Sequence, residues 1–377
     1  MRIFILSLAI YSLIAGLLLT SCNNTSSISI GQGGDTITTT AQLLKIIDYE
    51  NYTIAEVKNP WNTSEILQRY ILVNRNSNVD KSSFPKGVII KTPIQSSVVY
   101  SSVHANAINE LGVIDAITGI CDAKYYKIQQ IKDRMLSGDV IDIGSSMSPS
   151  IEHIIELSPE AILTSPFQNA GHGAIEQLKI PIIECADYME TTPLGRAEWI
   201  ILLGTLYGKR QLACNIYDNV CQTYNQLKDS IATVTTNRPI VISECVTDGV
   251  WYMPGGNSYM ARLFYDAGAE YPWKEDKSTG SLQLDFASVY EQAHNADYWL
   301  IKTFGRELTL DELKTNYPLH AQMEAFNNGG VYSCNTENTS IFEDFPFHPE
   351  KLLREYIYLF HPDFSNNKPL KYYKQVK

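Results

Sequence analysis

The stretch Pro193-Leu-Gly-Arg-Ala-Glu-Trp199-Ile-Ile-Leu-Leu-Gly-Thr-Leu-Tyr-Gly-Lys-Arg-Gln-Leu-Ala-Cys-Asn-Ile-Tyr217-Asp-Asn-Val-Cys-Gln-Thr-Tyr224-Asn-Gln-Leu-Lys-Asp-Ser-Ile231-Ala-Thr-Val234 decides how the rest of the chain is read. Apolar residues recur at Trp199, Leu203, Leu206, Ala213, Tyr217, Val220, Tyr224, Leu227 and Ile231. Steps of three and four mark one face of a helix. Over about 35 residues such a helix would be roughly 50 Å long, more than one lobe needs. It is expected to bridge two.

The flanks support that division. Before it, Val98-Val99-Tyr100, Ile117 to Ile120, Ala161 to Thr164 and Ile180 to Ile183 read as strands. Helical stretches at His104–Leu111, Ile151–Leu157 and Ile175–Leu178 lie between them. After it, strands at Ile240–Ser243, Tyr298–Ile301 and Gly330–Ser333 alternate with helices at Ser258–Ala267, Ala287–His294 and Leu310–Tyr317. A last amphipathic helix runs from Pro349 to Phe360. Alternating strands and helices predict mostly parallel sheets. The expected fold class is therefore α/β, two Rossmann-like lobes joined by a single long rigid helix. Further upstream, Tyr52–Val57, Tyr70–Asn74 and Val88–Ile90 read as a small antiparallel unit.

Met1-Arg2, an apolar run from Ile3 to Leu19 and Leu19-Thr20-Ser21-Cys22 form a short export signal. Its ending resembles the bacterial lipobox, in which Cys22 would take lipid. Asn23 to Thr40 is rich in Asn, Ser, Thr and Gly and reads as tether. The expected organisation is a signal peptide 1–21, flexible tether 22–44, N-terminal lobe 45–192, connecting helix 193–234, C-terminal lobe 235–365 and tail 366–377. The expected location is the periplasm, lipid-anchored to the inner or outer bacterial membrane.

With 44% hydrophobic residues the chain can fill two cores, and its formal net charge of -11 opposes binding to nucleic acid. Apart from Cys22, the six cysteines form no Cys-x-x-Cys pair. Cys214 and Cys221 lie about 10 Å apart along one helix face, too far for a bridge, so free thiols are expected. No Gly-x-Ser-x-Gly elbow or His-Glu-x-x-His helix occurs, and Gly204 to Arg210 imitates a phosphate loop with the wrong spacing. No catalysis, cofactor or resident metal is expected.

Three stretches carry a family resemblance: Ser148 to Leu163 (SPSIEHIIELSPEAIL), Thr192 to Ile200 (TPLGRAEWI), and Pro254-Gly-Gly-Asn-Ser-Tyr-Met260 through Asp266-Ala-Gly-Ala269. With the lipobox and long helix, the region from Val88 to Phe360 resembles the periplasmic binding proteins of ABC importers for ferric siderophores, haem and cobalamin. The resemblance implies a monomer that takes its ligand between the lobes and docks on the membrane permease. Glu152 falls on the family's first-lobe docking glutamate; Asn257 stands where the second acid is expected.

Ligand residues are expected where strands end at the cleft: Tyr100, Ser101, His104, Tyr125 and Ser145 in the first lobe, and Trp251, Tyr252 and Arg306 in the second. Ser102, Tyr126, Ser146, Phe167, Trp273 and Thr303-Phe304-Gly305 are secondary candidates. Aromatic walls suit flat ligands, and Arg306 suits a carboxylate or phosphate. Of seven scattered histidines, His104 is the best candidate for a metal or haem-iron ligand. Two other functions remain open at this point: a bare zinc or manganese carrier of similar fold, and an anchored adhesin or assembly factor without a small ligand.

Overall fold

The computed structural model describes residues 33–78, 84–234, 237–365 and 368–377. The signal peptide, Cys22 and the first part of the tether lie outside them.

Two parallel sheets form separate lobes. In the first lobe the strand order is Ile182–Glu184, Ala161–Thr164, Ser97–Val99, Ile117–Ile120, Ile141–Asp142, all parallel. In the second, Val241–Ser243, Tyr298–Thr303 and Val331–Asn335 are parallel, and Lys374–Gln375 closes the edge antiparallel. A smaller antiparallel sheet, Val246–Thr247, Val250–Pro254 and Ser281–Leu284, lies beside the second. Ahead of the first lobe, Asp35–Thr36, Leu44–Asp48, Thr53–Asn59, Asn62–Asn74 and Val88–Thr92 pair in sequence order. Only the last pair in this sheet is parallel. The sheet's inner face, with Ile46, Ala55, Val57, Tyr70 and Leu72, is continuous with the first-lobe core.

The connector departs from the expected rod. It is three helices, Pro193–Ala197, Ile200–Leu206 and Arg210–Val234. Thr192 caps the first through the Gly195 N–H, with Pro193 in its first turn. The second is buried on every side, so it has no solvent face to continue the stripe. It stops because Gly208 adopts φ +71°. Gly204 also lets the chain fold back closely, since a Cβ there would lie 2.4 Å from the Ala213 Cβ. The phosphate-loop lookalike from Gly204 to Arg210 spans this break instead of lying inside a helix.

The bridging role survives in the shorter helix. Ala213, Tyr217 and Val220 pack in the first-lobe core, and Tyr224 and Ile231 in the second. At 25 residues it is about 37 Å long, enough to touch both.

Two other expectations are corrected. The tether does not extend to residue 44, because from Gly34 onward the chain is folded. Leu43 and Leu44 are buried, and five backbone N–H groups are held by two buried carboxylates. Those of Thr39, Thr40 and Ala41 donate to Glu198, and those of Gln42 and Leu43 to Glu190. The tail is not loose either over its described residues 368–377. Tyr372, Tyr373 and Val376 enter the second core, and Glu355 accepts the N–H groups of Lys371, Tyr372 and Tyr373. The six described cysteines are free.

The lobes also meet directly, on the face of helix Ser102–Glu110. Asn106 donates to the Glu343 carbonyl, and the Lys127 N–H to the Glu343 carboxylate. His348 of the second lobe pairs with Glu110 at 2.7 Å and with its own neighbour Glu350 at 3.1 Å. Burial alone would lower the His348 pKa, but hydrogen bonds to Glu110 and Glu350 outweigh it and raise it to about 9. A raised folded-state pKa means the imidazolium's contribution is complete below the unfolded value of 6.5 and is lost as pH climbs through about 9. The unfolding free energy should therefore fall by about 2 kcal/mol more in the native chain than in His348→Gln between those pH values. Denaturant unfolding at both pH values checks this; equal slopes would refute it.

Candidate functional site

Ligands of open α/β sheets bind beyond the carboxyl ends of the strands. In the first lobe those ends deliver Tyr100, Ser101 and Ser102, then Asp122 to Tyr125, then Ser145 to Met147, then Phe167. In the second they deliver Glu244, Phe304 to Arg306, and Thr336 to Thr339.

Some of the expected residues converge here. Tyr125 is about half exposed and meets Phe304 of the other lobe edge to face, with ring centroids 5.8 Å apart. Around this contact Ser102, Lys127, Thr336, Thr339, Phe342 and Glu343 enclose a narrow inter-lobe cavity of about 160 Å3. A wider one of about 550 Å3 lies over the first lobe, lined by Tyr100, Met147, Thr164, Phe167 and His172 among others. The Tyr100 hydroxyl is buried without a hydrogen-bond partner among the described residues, and burial pushes its pKa well above the usual phenol value. Ser101 caps helix Ser102–Glu110 through the Val103 N–H. Ser145 is exposed in a tight hairpin with Ser148–Pro149, and that hairpin projects Met147.

Others are placed elsewhere. Trp251 is fully buried in the second-lobe core, its indole N–H on the Ser243 carbonyl and its ring against Trp299 and His320. The alternation of strand Val250–Pro254 turns Trp251 inward, so Tyr252 faces out and is exposed. His104 lies inside helix Ser102–Glu110, 3% exposed, with Nε2 2.8 Å from Asp187. Its Nε2 is committed to that carboxylate, which Arg196 also reaches at 3.2 Å, while its Nδ1 is buried with no hydrogen-bond partner among the described residues. Tyr126 and Trp273 are buried too, Tyr126 donating to the Val99 carbonyl. Arg306 is exposed but already faces Glu312 at 3.1 Å. Trp199 is core as expected, donating to Glu190.

Lys127, Met147, His172, Thr336, Thr339, Phe342 and Glu343 escaped sequence reading. The signal for Thr336 and Thr339 was available, because the strand ending near Ser333 points its following loop at the same cleft. Phe342 and Glu343 sit in a four-residue helix, Ile341–Asp344, with no periodicity to announce it.

Two acidic residues just past the carboxyl ends of the parallel strands take left-handed backbone, Asp122 (φ 54°) and Glu244 (φ 59°). Such conformations are uncommon outside glycine and concentrate at ligand sites. Glu244 pairs with Lys302, and its carbonyl accepts the Trp299 indole N–H. His172 pairs with Glu184 at 2.7 Å, and that hydrogen bond raises the His172 pKa. Among the described residues no group of three His, Cys, Asp or Glu side chains is arranged to hold a metal ion. A recess of about 920 Å3 opens at the amino ends of the second-lobe strands beside Pro239, Asp297 and Gly330. That is the wrong end of the sheet for a ligand of this fold.

Residues 98–337, more than half of the chain, match the family described as periplasmic binding protein. The chain belongs to the periplasmic binding protein family. An uncharacterized lipoprotein of Methanocaldococcus jannaschii is 30% identical to this periplasmic binding protein over 287 residues, covering 72% of this chain and 67% of that one. Among solved structures, a periplasmic heme-binding protein from Pseudomonas aeruginosa superposes with TM-score 0.59 at 16% identity, covering 75% of this chain and 98% of that one. The heme-binding protein HutB of Vibrio cholerae gives 0.57 at 18% identity, covering 71% and 100%. At those identities the likeness is one of fold. The five-stranded sheet from Asp35 to Thr92 precedes the matched region.

Proposed function

We propose that this chain is a lipid-anchored substrate-binding protein of an ABC importer. It captures a metal chelate or macrocycle, such as a ferric siderophore, haem or cobalamin, between its lobes and delivers it to the permease. The observation that carries this reading is the exposed aromatic set at the cleft. Tyr125 and Phe167 come from one lobe and Phe304 and Phe342 from the other, each about half exposed. Rigid rings bury much ligand area with little loss of side-chain entropy. The heme-binding neighbours, alike in fold, and the lipoprotein relative support the same assignment.

On the same reading Tyr100, Ser101, Tyr252 and Arg306 contact the ligand. Glu152, exposed in the first turn of helix Ile151–Leu157, offers its carboxylate to the permease. Cys22 carries the lipid.

Thermal and denaturant unfolding of the full chain with ferric chelates, haem and cobalamins tests the function. A ligand at about 100 times its Kd should add roughly 2.7 kcal/mol to the unfolding free energy. Tyr125→Ala and Phe304→Ala should each weaken that ligand about tenfold, the loss of one buried ring contact. No stabilisation by any of the complexes would sink the assignment.

A further inference from the structure

The charge at the rim of the cleft narrows the ligand class, on the assumption that the cleft is the transport site proposed above. Its basic side chains are largely engaged. Arg306 faces Glu312, and Lys302 faces Glu244. Lys124 lies over the Tyr125 ring, 4.8 Å from its centroid, and Lys127 is close enough to act on the Glu343 carboxyl. The carboxylates are in excess. Asp122, whose carboxylate accepts the Ser146 N–H, has no cation within ion-pair distance among the described residues. Neither does Glu337, which is exposed beside the Phe304–Gly305 turn, its Oε2 3.6 Å from where a Gly305 Cβ would lie. These charges sit on a chain of formal net charge -11, whose net long-range field is negative as well.

A cleft walled by low-dielectric rings and edged by unmatched carboxylates focuses negative potential onto whatever enters it. We propose that the ligand is a net-neutral or cationic metal complex, and that polyanionic chelates are rejected by the carboxylate rim. The class includes ferric trihydroxamates and corrinoids and leaves out ferric tris-catecholates.

The test titrates the full chain, in detergent, with three probes followed by tryptophan fluorescence: cyanocobalamin, a net-neutral ferric trihydroxamate and a trianionic ferric tris-catecholate. At low salt the better neutral probe should bind at least about tenfold more tightly than the tris-catecholate, and added salt should shrink the gap. Glu337→Lys should shrink it by about threefold without salt, because it replaces repulsion by attraction at the rim. Tighter or equal binding of the tris-catecholate overturns the inference while leaving the transport function intact. So does a preference that neither salt nor Glu337→Lys moves, since it would come from shape. Failure of all three probes, with haem and bulk ferric chelates also silent, counts against the transport function itself and removes the ground for the charge rule.

Discussion

Glu198→Ala is expected to lower the unfolding free energy by about 4 kcal/mol. The carboxylate is 1% exposed, and it accepts three consecutive backbone N–H groups, from Thr39 and Thr40 at 2.9 Å and from Ala41 at 2.7 Å. Hydrogen bonds to a charged acceptor contribute about 1.5–3 kcal/mol each, with less than full additivity when they share one group. Alanine removes all three at once and leaves the donors facing a cavity. Glutamine keeps the volume but turns an amide N–H toward at least one donor, so Glu198→Gln should lose about half as much. Denaturant unfolding measures both. Limited proteolysis gives an independent reading, because the segment Gly34–Leu43 should become cleavable before the lobes do. A loss under about 1 kcal/mol would mean that water replaces the carboxylate without penalty and that Glu190, strand pairing and the buried Leu43 and Leu44 hold the strap without it.

That strap also shows where sequence reading ran out. Gly34 to Ala41 is small and polar, the composition of a linker, and nothing local in it reveals a fold. Asp35–Thr36 is ordered by pairing with strand Leu44–Asp48, but Thr39 to Ala41 are held by Glu198, 157 to 159 residues away. Long-range partners of this kind leave no periodic trace. The lobes were legible because each strand is a short β-branched run between helices, and that signal is local. The connector was half legible. Its stripe of threes and fours is real from Ala213 to Ile231, but the break at Gly208 was marked in the sequence by a glycine followed by Lys209 and Arg210. Continuity of apolar residues across the break concealed it, because Ile200–Leu206 is buried on all sides. At the site, Tyr125 and Phe304 followed from the strand-end rule. Trp251 did not, because a strand's alternation decides which neighbour points outward, and either register suits an aromatic pair. His104 looked available only because Asp187, its partner, lies far along the chain.

Asp187→Ala should be nearly as damaging, with an expected loss of about 3–5 kcal/mol. Asp187 is 2% exposed and stands between His104 and Arg196, both also buried. Arg196 in turn lies over the second-lobe rings of Tyr259 and Phe345, at 5.0 and 5.4 Å from their centroids. Removing the carboxylate leaves a buried guanidinium without its anion and frees it from the position that joins the lobes. Burial pushes the Asp187 carboxyl up, but the His104 and Arg196 charges and hydrogen bonds outweigh it and hold it below the usual value of 3.8. A lowered folded-state pKa means that this stability is present above 3.8 and is lost as pH falls through the folded value. The native chain should therefore lose stability more steeply than Asp187→Asn as pH is lowered from about 5 to about 3. The ligand reading of His104 predicts something else: a large drop in affinity for the bound complex with stability little changed. Measuring unfolding and binding on the same Asp187→Ala preparation separates the two, and a stability loss below about 1 kcal/mol would show that this buried pair does not hold the lobes together.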